Sequence, residues 1–188
     1  MKSRIMTIAL LGAAIAACGK GGGEVASNSL EPESNLASAT SQPDKDLAGV
    51  LDGQPRLVAL VKAAGMERIL AGKEPYTILA PSEDALAKLP AGTLDRLQKP
   101  EGKAELTGLL RHHILPGTIL TTDLAKGLES GKKELKLATM AGDPLTVTRE
   151  GQGYKVTDKA GHVAMLTGTE QPAKNGVVHS IDAVLPAA

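Results

Sequence analysis

Aromatic residues are almost absent from this sequence of 188 residues, which contains two Tyr, no Phe and no Trp. Its hydrophobic core must therefore consist of aliphatic side chains. Stacking platforms for nucleic-acid bases and aromatic cages for cations are nearly excluded as a basis of function. Positive charge is not in excess either, because 21 Lys and Arg residues balance 21 Asp and Glu residues. Without a basic surplus the chain lacks the attraction that a phosphate backbone requires, so we expect no nucleic-acid partner.

Cysteine occurs once, at Cys18, which excludes an intramolecular disulfide and a cysteine-based zinc site. Residues 1–17 have a short basic start, an apolar run and two small residues at the end. This layout predicts a secretory signal peptide that is too short to span a bilayer. Residues 15–18, Ile-Ala-Ala-Cys, are similar to a bacterial lipobox, which implies a lipid attached to Cys18. An ordinary signal peptide with an incidental cysteine, or a short membrane anchor, are the alternatives.

Residues 18–43 are rich in Gly, Ser, Asn, Glu, Ala and Pro and contain little that a core could bury. We predict a disordered tether, which at about 5 to 6 Å times the square root of its length extends a few tens of Å. We therefore expect a membrane attachment through lipid on Cys18 and a location at the cell envelope. Because Gly19 follows the cysteine, the sorting habit of Gram-negative bacteria implies the outer membrane.

Residues 44–188 show the periodicities of one α+β domain, with helices in the first half and strands in the second. Helical spacing is found at Leu57, Leu60, Val61 and Ala64, and again at Leu106, Leu109, Leu110 and His113. Gly65 ends the first helix, and Ser82 is placed to cap a short helix after the strand 76–80. From residue 135 short strands alternate with turns, and a final strand is predicted over 177–185. The segment 127–133 is predicted to be a loop, because its glycine spacing does not match a phosphate-binding loop.

Three separate segments, 76–86, 109–117 and 175–186, together resemble the fasciclin (FAS1) domain family. The matching positions are Thr77, Ala80, Pro81 and Ser82 in the first segment, His113, Pro116 and Gly117 in the second, and Asn175, Gly176, His179 and Asp182 in the third. Leu79 and Leu86 stand where the family usually has Phe, and His112 replaces its tyrosine. The resemblance implies a wedge-shaped, β-sandwich-like strand core with several short helices packed along one side.

The family resemblance also implies adhesion or matrix interaction at cell surfaces, without catalytic activity. We expect a protein or glycan partner at the cell envelope. The central Tyr-His segment of animal members is tied to receptor binding, but the tyrosine is absent here, so that role is not carried over.

His113 and His179 near Asp182 are the main candidates for metal binding or acid–base chemistry. In the alternative interpretation, which we favour, each ring packs in the core and hydrogen-bonds the backbone, and the matching motif residues are structural. The adjacent His112 and His113 are expected to point apart. We therefore expect no catalytic residue, no cofactor and no metal.

Three hypotheses follow for the function of the chain. The first is a non-enzymatic, envelope-tethered lipoprotein that acts as an adhesion or interaction module. The second is a carrier that holds a small apolar ligand, a lipid or pigment, in a groove of the domain. The third, a hydrolase, lacks support because there is no G-x-S-x-G motif and the single cysteine belongs to the anchor.

Overall fold

The computed structural model describes residues 43–186, and the predicted signal peptide, Cys18 and nearly all of the tether lie outside them. The α-helices in this part of the chain are α1 (Leu47–Val50), α2 (Pro55–Ala64), α3 (Glu67–Ala71), α4 (Glu83–Ala87), α5 (Thr93–Gln98), α6 (Lys103–His112) and α7 (Thr121–Glu129). The strands are β1 (Tyr76–Pro81), β2 (Ile114–Pro116), β3 (Leu135–Ala138), β4 (Pro144–Glu150), β5 (Gly153–Thr157), β6 (Val163–Ala173) and β7 (Gly176–Ile181). Short 3-10 helices cover Leu51–Gly53 and Pro100–Gly102.

The strands form one sheet in the order β2-β1-β7-β6-β5-β4-β3. Strands β1 and β7 run parallel, with Tyr76 opposite Gly176, and the other neighbours are antiparallel. The sheet curls until its two edge strands approach each other. The N–H of Met140, just beyond β3, donates to the carbonyl of Ile114 in β2 at 2.8 Å. The result is a nearly closed, barrel-like strand core, and the predicted α+β class is confirmed.

Two apolar cores lie on opposite faces of the central strands. On β1, Ile78 and Ala80 face the first core, beneath helices α1 to α6, whereas Leu79 faces the second. The second core fills the inside of the curled sheet and is closed by α7, which packs against β3 and β4. Because β1 and β7 bury side chains on both faces, their polar residues are also surrounded by protein.

Local sequence signals place several elements correctly. Helix α2 ends at Gly65, whose φ of 74° is the left-handed conformation that glycine adopts without steric cost. The hydroxyl of Ser82 accepts the N–H of Ala85 at 3.1 Å and caps α4. Helix α6 ends at His112, so His113 lies just past its end. Strands β4 and β5 form a hairpin, with Glu150 opposite Gly153.

Two predicted boundaries are wrong. The last strand ends at Ile181 instead of residue 185, and the N–H of Asp182, which donates to the carbonyl of Met165, makes the next bond to β6. The segment 127–133 is not entirely a loop, since its first three residues belong to α7. A Cβ at Gly127 would lie 2.7 Å from Cδ1 of Leu135, so helix α7 and strand β3 pack closely there.

Candidate functional site

Thr77 in β1 uses its hydroxyl twice. The hydroxyl donates to the carbonyl of Gly117 at 2.8 Å and accepts the N–H of Ile119 at 2.9 Å. The side chain is buried, so both bonds are shielded from water. Thr77 therefore fixes the chain segment that turns at Pro116 and Gly117, and its hydroxyl both donates to and accepts from backbone groups.

The next motif residues in β1 are engaged with β7. Ala80 is fully buried opposite Ser180, and Pro81 lies opposite Ile181. The N–H of Ser82 donates to the carbonyl of Ile181 at 2.9 Å, while the Ser82 hydroxyl caps α4. This segment thus joins the parallel strand pair to the first helix after it.

His113 is buried and binds the backbone through both ring nitrogens. Nδ1 lies 2.8 Å from the carbonyl of Leu109, and the N–H of Leu185 lies 3.1 Å from Nε2. Nδ1 must therefore carry the proton, and Nε2 must be the acceptor. Burial lowers the pKa of His113 from 6.5 to about 4, although the bond to Leu109 acts in the opposite direction. The ring is neutral at pH 7 and offers no nitrogen to a metal or a substrate.

His179 and Asp182 have separate backbone partners. Nε2 of the buried His179 donates to the carbonyl of Ile119 at 2.7 Å. The Asp182 carboxylate accepts the N–H of Met165 at 2.7 Å. Strand β1 lies between His113 and β7, since Leu79 donates its N–H to the His113 carbonyl and stands opposite His179. The candidate His–Asp constellation is therefore not assembled.

Asn175 connects the last strand to the first helices through its side-chain amide. Nδ2 donates to the carbonyls of Leu70 and Gly72 at 3.0 and 2.8 Å, and Oδ1 accepts the N–H of Leu47 at 2.8 Å. The following Gly176 has a φ of 147°, and a Cβ there would lie 1.9 Å from the carbonyl oxygen of Tyr76. The Asn-Gly pair thus locks helix ends onto the sheet where β1 and β7 begin.

The remaining histidines differ from these two. His112 is 1% exposed, and neither of its ring nitrogens has a hydrogen-bond partner within residues 43–186. Its ring lies edge-on to that of His113, with centroids 6.4 Å apart. His162 lies in the turn between β5 and β6, where Nδ1 is 2.7 Å from Oδ2 of Asp158. Burial alone would raise the pKa of Asp158, but hydrogen bonds from the side chain and backbone of His162 outweigh it and lower the pKa.

A cavity of about 300 Å³ opens where β6 bulges away from β7. Thr167 of β6 lies opposite Ser180 of β7, and Gln171 lies opposite Val178. Three residues of β6, 168–170, therefore lie opposite a single residue of β7. Such bulges redirect side chains and interrupt the ladder of backbone hydrogen bonds. The cavity is lined by Thr121, Gln152, Gly153, Tyr154, Leu166, Thr167, Gly168, Glu170, His179 and Ser180. We name it the bulge cavity.

Hydrogen bonds to α7 fix one wall of the bulge cavity. Oε2 of Glu170 accepts both the N–H and the hydroxyl of Thr121, at 2.7 and 2.9 Å. The hydroxyl of Tyr154 donates to the carbonyl of Thr121 at 3.3 Å. Sequence patterns do not indicate this cavity, because its residues come from separate elements and meet only through the strand offset.

A second, apolar void lies inside the strand core next to the bulge cavity, and His179 and Leu166 line both. Its volume is about 10 Å³. A cavity needs at least roughly 10–15 Å³ to hold one water molecule, so this interior is filled by its own side chains.

Neither a membrane span nor a metal cluster is found in the part of the chain that the structure describes. No helix there is long and apolar enough to cross a bilayer. The same residues contain no group of three or more His, Cys, Asp or Glu side chains arranged to hold a metal ion.

Comparisons with known proteins agree on the family. The Fasciclin domain profile matches residues 53–187. Protein sll1483 of Synechocystis sp. is 37% identical over 129 residues, which are 69% of this chain and 64% of that protein. Transforming growth factor-beta-induced protein ig-h3 of Sus scrofa is 35% identical over 130 residues, 69% of this chain but 17% of that protein. The chain thus spans less than two thirds of the length of these relatives.

A solved structure shares the fold. It is a FAS1 domain pair from the insect cell adhesion molecule Fasciclin I, with a TM-score of 0.55 and 20% sequence identity. The similarity covers 71% of this chain and 44% of that chain.

Proposed function

Because the chain belongs to the Fasciclin domain family, we propose that it is a non-enzymatic interaction module that a lipid on Cys18 tethers to the bacterial cell envelope. There it adheres to a protein or glycan of the envelope. The solved relative, Fasciclin I, is an insect cell adhesion molecule, which supports adhesion as the role of this domain.

One observation carries the proposal: the polar motif side chains are hydrogen-bonded to the backbone of their own domain. Thr77, His113 and Asn175 each make two or more such bonds, so their polar atoms are not left free for a substrate. These three side chains stabilise the fold, and we infer that other residues, at the surface of the domain, recognise the partner.

The location rests on the sequence before the domain. The lipobox-like residues 15–18 and the polar tether that follows favour export and anchoring. One acyl chain binds a membrane only marginally, whereas the two or three of a mature lipoprotein hold it firmly. A tether of a few tens of Å lets the domain reach partners at the surface without leaving it.

The alternative function is carriage of a small apolar ligand, a lipid or pigment, in a groove of the domain between helices and sheet. The void of about 10 Å³ in the strand core is far below the roughly 300–1,000 Å³ of usual ligand pockets. Carriage inside the strand core would therefore require its strands to separate, which favours adhesion as the function. Absorbance and mass spectra of the protein purified from its own bacterium test the alternative, since bound lipid or pigment would be extracted with solvent.

The test of the proposed function is capture of an envelope component by the full chain. The Cys18→Ala chain, immobilised on beads, is mixed with detergent-solubilised envelopes, and retained protein and carbohydrate are quantified. The matched control is the same chain denatured and coupled at equal density. Selective retention of one protein or glycan is the expected result, and retention no greater than on the control contradicts the proposal.

A further inference from the structure

We propose that the bulge cavity binds a neutral sugar ring, a hexose of an envelope glycan. The proposal deepens the proposed function, on which it rests, by naming the partner's chemistry and its site.

The size of the cavity restricts the ligand. A volume of about 300 Å³ lies at the lower end of the usual range for small-molecule pockets. One sugar ring fits within a volume of this order, whereas a helix does not. The cavity is also open to solvent at the bulge, so a ring at the end of a longer chain can enter while the rest remains outside.

The lining combines apolar surface with side chains that both donate and accept hydrogen bonds. Thr167 and Ser180 contribute hydroxyls, and Gln152 contributes an amide. The hydroxyls of Thr121 and Tyr154 already donate to Glu170 and to the Thr121 carbonyl, so toward a ligand they are acceptors. A hydroxyl supplies one donor and two acceptor positions, as the hydroxyls of a sugar do. The interrupted ladder at residues 168–170 adds backbone groups that β7 does not pair. A lining that can both donate and accept hydrogen bonds suits a ligand with many hydroxyls better than a ligand that only donates or only accepts.

The negative charge in the lining disfavours an anionic ligand in the bulge cavity. Glu170 is the carboxylate in the lining, and among the described residues no Lys or Arg side chain lines the cavity. Its Oε2 is occupied by Thr121, so Oε1 is the oxygen left to accept from a ligand hydroxyl. Two donors at the start of α7 already stabilise the carboxylate, which reduces its preference for a cation. A neutral ligand that donates hydrogen bonds fits these conditions.

Tyr154 gives the cavity an aromatic surface in a chain that has only two aromatic residues. Its hydroxyl is bound to the carbonyl of Thr121, which holds the ring at the cavity wall. A tyrosine ring presents an apolar body with a polar tip, which suits a sugar that has C–H groups on its faces and hydroxyls around its rim.

The absence of Trp makes Tyr154 a direct reporter of binding. Tyr76→Phe removes the other tyrosine, whose hydroxyl bonds Glu74 at the surface, and leaves Tyr154 as the single fluorophore. The full-length Tyr76→Phe chain is held in a polyoxyethylene detergent, which carries no sugar. It is titrated with the methyl glycosides of glucose, galactose, mannose and N-acetylglucosamine, and binding is checked by calorimetry.

We expect at least one neutral glycoside to give a saturable fluorescence change with a Kd on the order of 1 mM. The matching uronate should bind at least tenfold more weakly because its carboxylate meets Glu170. Glu170→Gln should weaken binding about tenfold, whereas Glu129→Gln, the same change at an exposed site on α7, should not. Tyr154→Ala, followed by calorimetry, should abolish binding while the far-ultraviolet circular dichroism spectrum is retained.

The source of the sugar is separated by comparing each glycoside with its free sugar. Equal binding supports the end unit of an envelope glycan. A tenfold preference for the free sugar overturns the assignment to a glycan and assigns the site to a soluble sugar instead. Absence of saturable binding by every neutral sugar overturns the inference, as does equal binding by Tyr154→Ala. If the intact chain still captures an envelope component, the inference has failed alone and the proposed function stands.

Discussion

The N–H of Leu185 donates to Nε2 of His113 across 72 residues, at a distance of 3.1 Å. The other ring nitrogen donates to Leu109 one turn back in α6. A neutral imidazole thus joins the end of α6 to the chain that follows β7. Protonation would place a second donor at Nε2, facing the N–H of Leu185, and would break this connection.

The free energy of unfolding should therefore depend on pH through His113. Its pKa is lowered from 6.5 to about 4, so the unfolded chain binds the proton first as the pH falls. The contribution of His113 is fully present above pH 6.5 and is lost progressively down to pH 4, by about 3 kcal/mol in total. Urea denaturation at intervals from pH 7 to 4 measures this slope.

His113→Gln is the control for that slope. It retains polar atoms but has no titrating ring, so it should be less stable at pH 7 by about 2 kcal/mol and show a flatter profile. The carboxylates titrate in both proteins and cancel in the difference. Identical slopes in the two proteins would contradict the assignment to His113.

Glycine is required for different reasons at Gly176 and Gly117. In Gly176→Ala the Cβ would overlap the carbonyl oxygen of Tyr76 at 1.9 Å, so β1 and β7 cannot pair there. We expect a loss above about 4 kcal/mol and little folded protein. In Gly117→Ala the φ of 88° is strained, but no atom lies within 4 Å, so about 1–2 kcal/mol is expected. Expression and thermal melting distinguish them, and equal losses would contradict this account.

Asn175→Ala removes the amide that holds α1 and α3 on the sheet. The N–H of Leu47 loses its acceptor, and two carbonyls lose a donor. We expect a loss of about 2–4 kcal/mol and faster hydrogen exchange at Leu47, with the hairpin of β4 and β5 unaffected. Exchange that accelerates equally in both regions would show a global effect instead of a local anchor.

His112 occupies a buried position at which an apolar ring should give a more stable protein. Its buried nitrogens have no hydrogen-bond partner among residues 43–186, so they lose hydration without compensation. His112→Phe should raise the free energy of unfolding by about 1 kcal/mol, as measured by urea denaturation at pH 7. A loss of stability would indicate that the imidazole makes interactions that this geometry does not contain.

Elements with local signals were predictable from the sequence, whereas α7 was not. Helix α2 has an apolar stripe and a terminal Gly65, and α4 has the Ser82 cap, so both are encoded within a few residues. Helix α7 buries Leu124 alone. Its start is stabilised locally by Asp123, whose carboxylate accepts the N–H of Leu120 at 3.1 Å, and by Glu170, 49 residues away, which accepts the N–H of Thr121. The distant part of this stabilisation cannot be recognised in the sequence of the helix.

The motif residues were recognisable, but their partners were not. Neither the Leu185 bond to His113 nor the three bonds of Asn175 follow from periodicity, because they depend on the parallel pairing of β1 with β7. The bulge cavity depends on an offset between β6 and β7 that no single segment shows.

Intact mass and detergent partitioning determine whether lipid on Cys18 tethers the protein to the envelope. The native chain and Cys18→Ala are expressed in the same bacterium and compared. We expect the native chain to lose residues 1–17, to gain the mass of acyl chains and to enter the detergent phase, while Cys18→Ala does not. Two unacylated proteins that both remain in the aqueous phase would contradict the tether and point to a diffusible binding protein.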